Sequence, residues 1–293
     1  RSGYDLNTGT NNVLLGFQAG FDINSGSCNI VIGSQAFGAS SGSAAHDNIV
    51  IGRIAGGGIT NQNVQFNVLI GVAAGCGHST ASGGQNIAIG TDSLRAFTTG
   101  NTNIALGQYA GCALSTGSGN IYQGCYSGAC NTTGNQNVSL GLCSMRCGGS
   151  GCRNIALGVV ALGNANLQGN FNVAIGANAA DALTTGACNI ALGLDALGAA
   201  TAHSCNNVAI GELAMGTGVG GGSAGQGSNN VALGKSALSA VTTGVDNIMI
   251  GCEPGDAILG GQQNIGIGGG ALGAMTVGTV SYTHLTLPTN REV

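Results

Sequence analysis

The chain has 293 residues, of which 57 are glycine and 6% are charged, with a net charge of −4, two prolines and no tryptophan. Collagen is excluded because no Gly-X-Y period exists, ordinary disorder by the 43% hydrophobic content, and a spanning helix because no run approaches ~18 apolar residues. Seven Lys and Arg against eleven Asp and Glu leave no basic footprint for nucleic acid.

Residues 1–10 read as an incomplete N-terminal lead-in. From 11 to 280 one unit recurs: Asn, Val or Ile, any residue, Ile or Leu, then Gly. Its fifteen asparagines are Asn12, Asn29, Asn48, Asn67, Asn86, Asn103, Asn120, Asn137, Asn154, Asn172, Asn189, Asn207, Asn230, Asn247 and Asn264. Of the fourteen spacings, eight are 17 residues, two are 18, three are 19 and one is 23. The longest spans Gly216 to Ser228, a Gly- and Ser-rich stretch that reads as an inserted loop at a coil corner. No domain boundary interrupts the array. Residues 281–293 depart from the repeat, resemble a translated cloning adaptor, and are expected to be an artefactual tail.

Each column of the repeat has a physical reading. Alternating aliphatic residues after the Asn mark a short strand, and the Gly that follows permits a corner that a Cβ would crowd. Three residues past that Gly sits a small residue, Ala eleven times, before a second short arm and a Thr-Thr-Gly return such as Thr98-Thr99-Gly100. One repeat is then one coil, and the fold class is all-β: a parallel β-solenoid of about fifteen 17–19-residue coils, rising about 4.8 Å per coil. The asparagines are expected to stack as a ladder whose amides bond between coils.

The column between the two aliphatic residues reads Leu14, Val31, Val50, Leu69, Ala88, Ala105, Tyr122, Ser139, then Ala five times, Met249 and Gly266. Strands apolar on both faces are buried on both faces. The Val/Ile and Ile/Leu positions are assigned to the coil interior, and the Ala-rich middle column to a contact between copies. Small residues there would let copies meet around an axis, so Ala174→Asp is expected to block a homotrimer. Gln123, the one polar residue in the supposed inner columns, marks an expected soft point.

Eleven cysteines include no Cys-x-x-Cys pair and no metal-ligand spacing to any of the four histidines. On the repeat, Cys112 lies five residues after its Gly, and Cys130 and Cys147 six after theirs. Adjacent coils would bring these three to one corner, a candidate disulfide staple in an extracellular product. The bland alternative is cysteine used as a small apolar turn residue. Gly234-Lys235-Ser236 lacks the first Gly of a phosphate loop, and no recurring carboxylate pair supplies an acid and a base. No catalytic, cofactor or metal residues are assigned, and no enzyme activity or cofactor is expected.

Stretches such as Asn103-Ile-Ala-Leu-Gly-Gln-Tyr-Ala-Gly and Asn189-Ile-Ala-Leu-Gly-Leu-Asp-Ala-Leu resemble the head repeat of trimeric autotransporter adhesins, whose units wind a left-handed β-roll in a three-chain bundle. They resemble more closely the 17-residue Asn-x-Ala-x-Gly-x-x-Ala-Leu-x-x-x-Thr-Thr-Gly repeat of phage tail-fibre proteins. Related bacterial surface proteins that precede an intramolecular chaperone domain carry this repeat too. The resemblance covers about 265 of the 293 residues. It implies a trimeric fibre shaft or head on a cell surface or virion, extracellular, partnered by itself and touching a host receptor or glycan through a region outside this segment. No nucleic-acid partner and no membrane insertion are expected. An ice- or crystal-binding solenoid carrying threonine rows is the alternative, and a glycan-cleaving β-helix enzyme the remote one.

Overall fold

The structure is a computed structural model and describes residues 1–38, 45–59, 64–77, 81–200, 202–217 and 227–284. It is all-β, with sixteen three-residue parallel strands among the described residues, and forms a β-solenoid of about fifteen turns. The chain divides into two compact units, residues 1–154 and 155–293. The first holds eight strands, from Val13–Leu15 to Val138–Leu140. The second holds eight more, from Ile155–Leu157 to Tyr282–His284.

Within each unit every strand pairs in register with its equivalent one coil away: Val13 with Ile30, Ile104 with Ile121, Val173 with Ile190, Ile248 with Ile265. Numbering the coils by their asparagines, Asn103 opens coil six, Asn120 coil seven and Asn137 coil eight. The last strand falls inside the region expected to lie outside the repeat. Ser281 stands where the Asn would be, yet its N–H still donates to Asn264 Oδ1 at 2.9 Å. Its carbonyl accepts from Ile265 at 2.9 Å. Strand pairing uses the backbone, so a coil can be added there without the signature residues. At the other end Gly3, Asp5 and Asn7 donate to Ala19, Phe21 and Asn24. The lead-in thus lies on coil one as a part-coil, with Tyr4 stacked on Phe21 at 5.2 Å.

The strand faces are the reverse of the sequence assignment. The middle column is the interior: Val31, Leu69, Ala105, Tyr122, Ala174 and Met249 are all fully buried. The flanking Val/Ile and Ile/Leu residues point outward, with Leu15 63% and Ile190 39% exposed. Gln123 is likewise exposed, so no buried amide exists at that position and the soft-point expectation fails. Alternation fixed that the two faces differ. Which one turns inward is decided by room, because a coil of this length has a thin interior. Three other columns share it: the small residue after the corner (Ala36, Ser93, Ala196), the residue following it, and a fourth position occupied by Ile23, Phe97, Leu114 or Val241.

The interior conserves volume coil by coil. In five of the six coils with a large middle strand residue, the residue four after the corner Gly is glycine: Leu14 with Gly20, Val50 with Gly56, Leu69 with Gly75, Tyr122 with Gly128, Met249 with Gly255; the sixth pairs Val31 with Phe37. In seven of the nine where it is Ala, Ser or Gly, that fourth residue is large, such as Ala88 with Leu94, Ser139 with Met145 and Ala232 with Leu238; Ala174 with Ala180 is one of the two exceptions. The exchange is steric. A Cβ on Gly20 would lie 2.8 Å from Leu14 Cδ2, and one on Gly255 2.9 Å from Met249 Sδ. Coil six pairs small with small, Ala105 with Gly111, and the space is taken by the neighbouring Tyr122 ring, 2.8 Å from where a Gly111 Cβ would be.

The corner Gly itself is required by backbone conformation. Gly16 to Gly268 at this column hold φ between +118° and +138°, and a Cβ on Gly107 would sit 2.6 Å from the Gly124 carbonyl. The coil also forces ordinary residues into the left-handed region, the residue before each ladder Asn above all, as at Asn11, Phe66, Arg153 and Phe171. Repeated close stacking of backbones overrides that local preference.

The inverted register gives a direct test. Ala191→Asp puts a charge inside the coil without a partner, which costs several kcal/mol; loss of the cooperative unfolding transition by circular dichroism is expected. Ile190→Asp, one residue away but outward-facing, should keep the far-ultraviolet spectrum of the parent.

Candidate functional site

The asparagine ladder is the most regular side-chain feature. Within each unit, from its second Asn on, the Asn backbone N–H donates to Oδ1 of the Asn one coil earlier, at 2.9–3.1 Å. The Nδ2 group donates to a corner carbonyl of the following coil: Asn103 to Gly117 at 2.9 Å, Asn189 to Ser204 at 2.7 Å, Asn230 to Gly244 at 2.9 Å. All but Asn12 are buried. The amide is therefore spent on architecture and presents nothing to a ligand.

A second ladder, absent from the sequence reading, runs two residues before many of the asparagines, while others, such as His46 with Gln65 and Val245 with Gln262, pair there by backbone alone. In the ladder a backbone N–H donates to a side-chain acceptor of the next coil, and the acceptor varies: Thr10 to Ser27 Oγ, Ser27 to His46 Nδ1, Asn101 to Ser118 Oγ, Ser118 to Asn135 Oδ1. Cys152 and Cys205 take the same role, accepting from Asn135 and Ala187 through sulfur at 3.3 and 3.4 Å. Two cysteines thus serve as acceptors. Because Ser, Asn, His and Cys all qualify, no single residue type marks the column.

The three corner cysteines fall on one edge of coils six to eight. All eleven cysteines are free thiols. Cys112 Sγ lies 3.3 Å from the Ala129 carbonyl, beside Cys130, and the Cys130 N–H donates to the Arg146 carbonyl at 2.8 Å, beside Cys147. Burial pushes the Cys112 thiol above its ordinary value, partly offset by the Arg95 guanidinium.

The interior of coils seven and eight is unusually polar. Ser127, Ser139 and Ser144 form a buried hydroxyl cluster, with Ser139 and Ser144 oxygens 2.6 Å apart. Asn131 replaces an aliphatic residue in the fourth interior column, and Gly148 follows it in the next coil. Tyr122 fills the space left by Gly111 and Gly128. Its hydroxyl is buried and makes no hydrogen bond of good geometry. Burial drives the phenol far above its usual range, and the nearby Asn137 and Asn131 amides offset this only in part.

Among the described residues, one groove of ≈ 240 Å³ is lined by Gln18, Phe21, Gln35, Gly38, Ile54, Gly57 and Gly58, and another of ≈ 520 Å³ by Gly269–Met275 and Thr283. Neither lining contains a charged or nucleophilic side chain. Among the described residues no group of three or more His, Cys, Asp or Glu is placed to hold a metal ion. The inserted loop lies largely outside the described residues, which stop at 217 and resume at 227.

The face with the greatest capacity for recognition is the outward strand surface. In the first unit it carries two rows of eight positions, all Val, Ile or Leu except Gln123. In the second the same rows run uninterrupted from Ile155 and Leu157 to Ile265 and Ile267. Exposed Phe17, Val72 and Leu142 widen the first, and Val159 and Leu194 the second. No family model, curated protein or solved structure matches the chain.

The two ladders and the polar interior yield opposite expectations. Asn120→Ala strands the Asn137 N–H and the Gly134 carbonyl that Asn120 now satisfies; a loss of about 2 kcal/mol or more in urea unfolding is expected. Tyr122→Phe removes only an unsatisfied hydroxyl and should leave the melting midpoint unchanged or raise it.

Proposed function

We propose that this chain is a structural fibre segment, a shaft or head of a surface adhesin or tail-fibre-like protein, that acts by associating with copies of itself at a cell surface or on a virion. The observation that carries the reading is the double aliphatic row on each unit. Eight strands in the first unit and seven in the second, at about 4.8 Å spacing, make stripes about 30–35 Å long and about 10 Å wide. That is on the order of 300–350 Å² of apolar surface per unit, broken in the first at Gln123, the size of the largest exposed patch on a typical soluble chain, which is often functional.

The contact between copies is assigned to these Ile, Val and Leu rows and not to the Ala column, which packs inside the coil. The argument from small residues meeting at an axis is withdrawn with it. Self-association rests on the apolar rows, and the number three rests on the resemblance to adhesin-head and tail-fibre repeats. Attachment to a receptor or glycan would be made by a region outside this segment.

The ice-binding reading is weakened by the threonines themselves. The Thr98 and Thr242 hydroxyls donate to the Ser115 and Leu259 carbonyls of the next coil, at 3.1 and 3.0 Å. Hydroxyls turned back to cap the backbone are not free to order a crystal face.

Sedimentation equilibrium of the chain at micromolar concentration tests the proposal. A trimer is expected, and Ile104→Asp with Ile190→Asp should reduce it to a monomer with an unchanged far-ultraviolet spectrum. A wild-type chain that sediments as a well-folded monomer would overturn the reading.

A further inference from the structure

Cysteines occur in six different columns of the repeat, yet only one pair occupies the same column of adjacent coils: Cys130 and Cys147, each six residues after its corner Gly. The hydrogen bond from Cys130 N–H to the Arg146 carbonyl makes Cys147 the register partner of Cys130. The other neighbours are offset. Cys112 is opposite Ala129, since Ala113 donates to the Ala129 carbonyl, and Cys143 is opposite Tyr126, since Cys143 donates to the Cys125 carbonyl. Register partners in parallel pairing lie about 4.8 Å apart, inside the ~4.4–6.8 Å Cα span that a disulfide bridges. The three-cysteine corner thus resolves into one bridgeable pair.

Arg146 precedes Cys147 in the chain and is exposed. Cys130 is exposed and Cys147 half-buried, so both are open to a small reagent. The thiolate of either is the form that attacks disulfides.

We propose that Cys147 and Cys130 form a thiol–disulfide exchange site for small disulfides, which closes a staple between coils seven and eight. The Cys147 thiolate attacks one sulfur of a low-molecular-weight disulfide such as oxidised glutathione. A Cys147–glutathione bond forms, the reagent's own bond breaks, and one glutathione thiolate leaves. Cys130, as its thiolate, then attacks the Cys147 sulfur and expels the second glutathione. Two protein thiols are oxidised, one small disulfide is reduced to two thiols, and the two protons pass to the departing thiolates. The staple spans the coils whose interior is least apolar, holding Ser127, Ser139, Ser144, Asn131 and the unsatisfied Tyr122 hydroxyl.

The experiment uses the folded full chain and oxidised glutathione, followed by mass spectrometry of the intact protein and of its unreduced peptides. The expected product has lost two hydrogens and yields one cross-linked peptide joining Cys130 to Cys147. Cys130→Ser should stop the reaction at a glutathione adduct on Cys147. The closed form should melt about 3 °C or more above the reduced one, because the unfolded chain then carries a closed loop. Cross-linking of Cys112 to Cys130 or of Cys125 to Cys143 in place of this pair would overturn the proposal. So would a product in which Cys130 and Cys147 remain thiols or stop as separate glutathione adducts.

Discussion

The described coils are built from columns whose axial spacing is set by backbone hydrogen bonds between coils, and the buried carboxamides lock that spacing. Each Asn uses both ends of its amide: Oδ1 receives the next coil's N–H, and Nδ2 reaches a corner carbonyl that the turn leaves unpaired. A buried backbone group without a partner costs about 1–3 kcal/mol, and the coil contains many turn groups that no strand can satisfy. The amide column resolves this by converting turn backbone into a second pairing surface. The Ser, Asn, His and Cys acceptors two residues earlier extend the device.

That constraint explains the composition. Backbones stacked at strand spacing leave no space for a Cβ where two corners meet, hence the Gly column at φ near +135°. They also leave a narrow interior, which is filled to a nearly constant volume by trading size between the strand and the arm that faces it. Leu69 with Gly75 and Ala88 with Leu94 are two solutions of one packing equation. Large aliphatic residues do not fit inside in every coil, so the Val/Ile and Ile/Leu columns stand outside, where they form the apolar rows.

The solenoid, its parallel strands and the amide ladder were legible from the fifteenfold signature, because a period of 17 residues admits few architectures. The inside and outside of the strand were not. Period-two alternation separates faces but gives no sign when both are apolar, and ranking by hydrophobicity sent Ile and Leu inward where only available volume could decide. The same reasoning misplaced Gln123, which faces solvent, and passed over Tyr122 beside it, whose ring is the largest side chain fully buried. A clue was present: Gly111 and Gly128 flank Tyr122 at the column where other coils carry Leu or Met. The left-handed residues before each Asn gave no signal at all, since Phe66, Arg153 and Asp47 occupy the position alike.

Because size is traded within a coil, most coils bring a complete filling of their own. A gene could then gain or lose a 17-residue period without disturbing what remains, since the neighbours on either side meet the same backbone and the same amide. Coils six and seven are tied differently. Coil six is underfilled by itself, Ala105 with Gly111, and borrows the Tyr122 ring of coil seven. Loss of coil seven alone would open a void in coil six, and loss of coil six alone would press the ring against Leu94 of the coil before it, which already reaches the Gly111 site. Packing therefore favours gaining or losing these two periods as a pair, and length variation along such an array should leave this joint uncut.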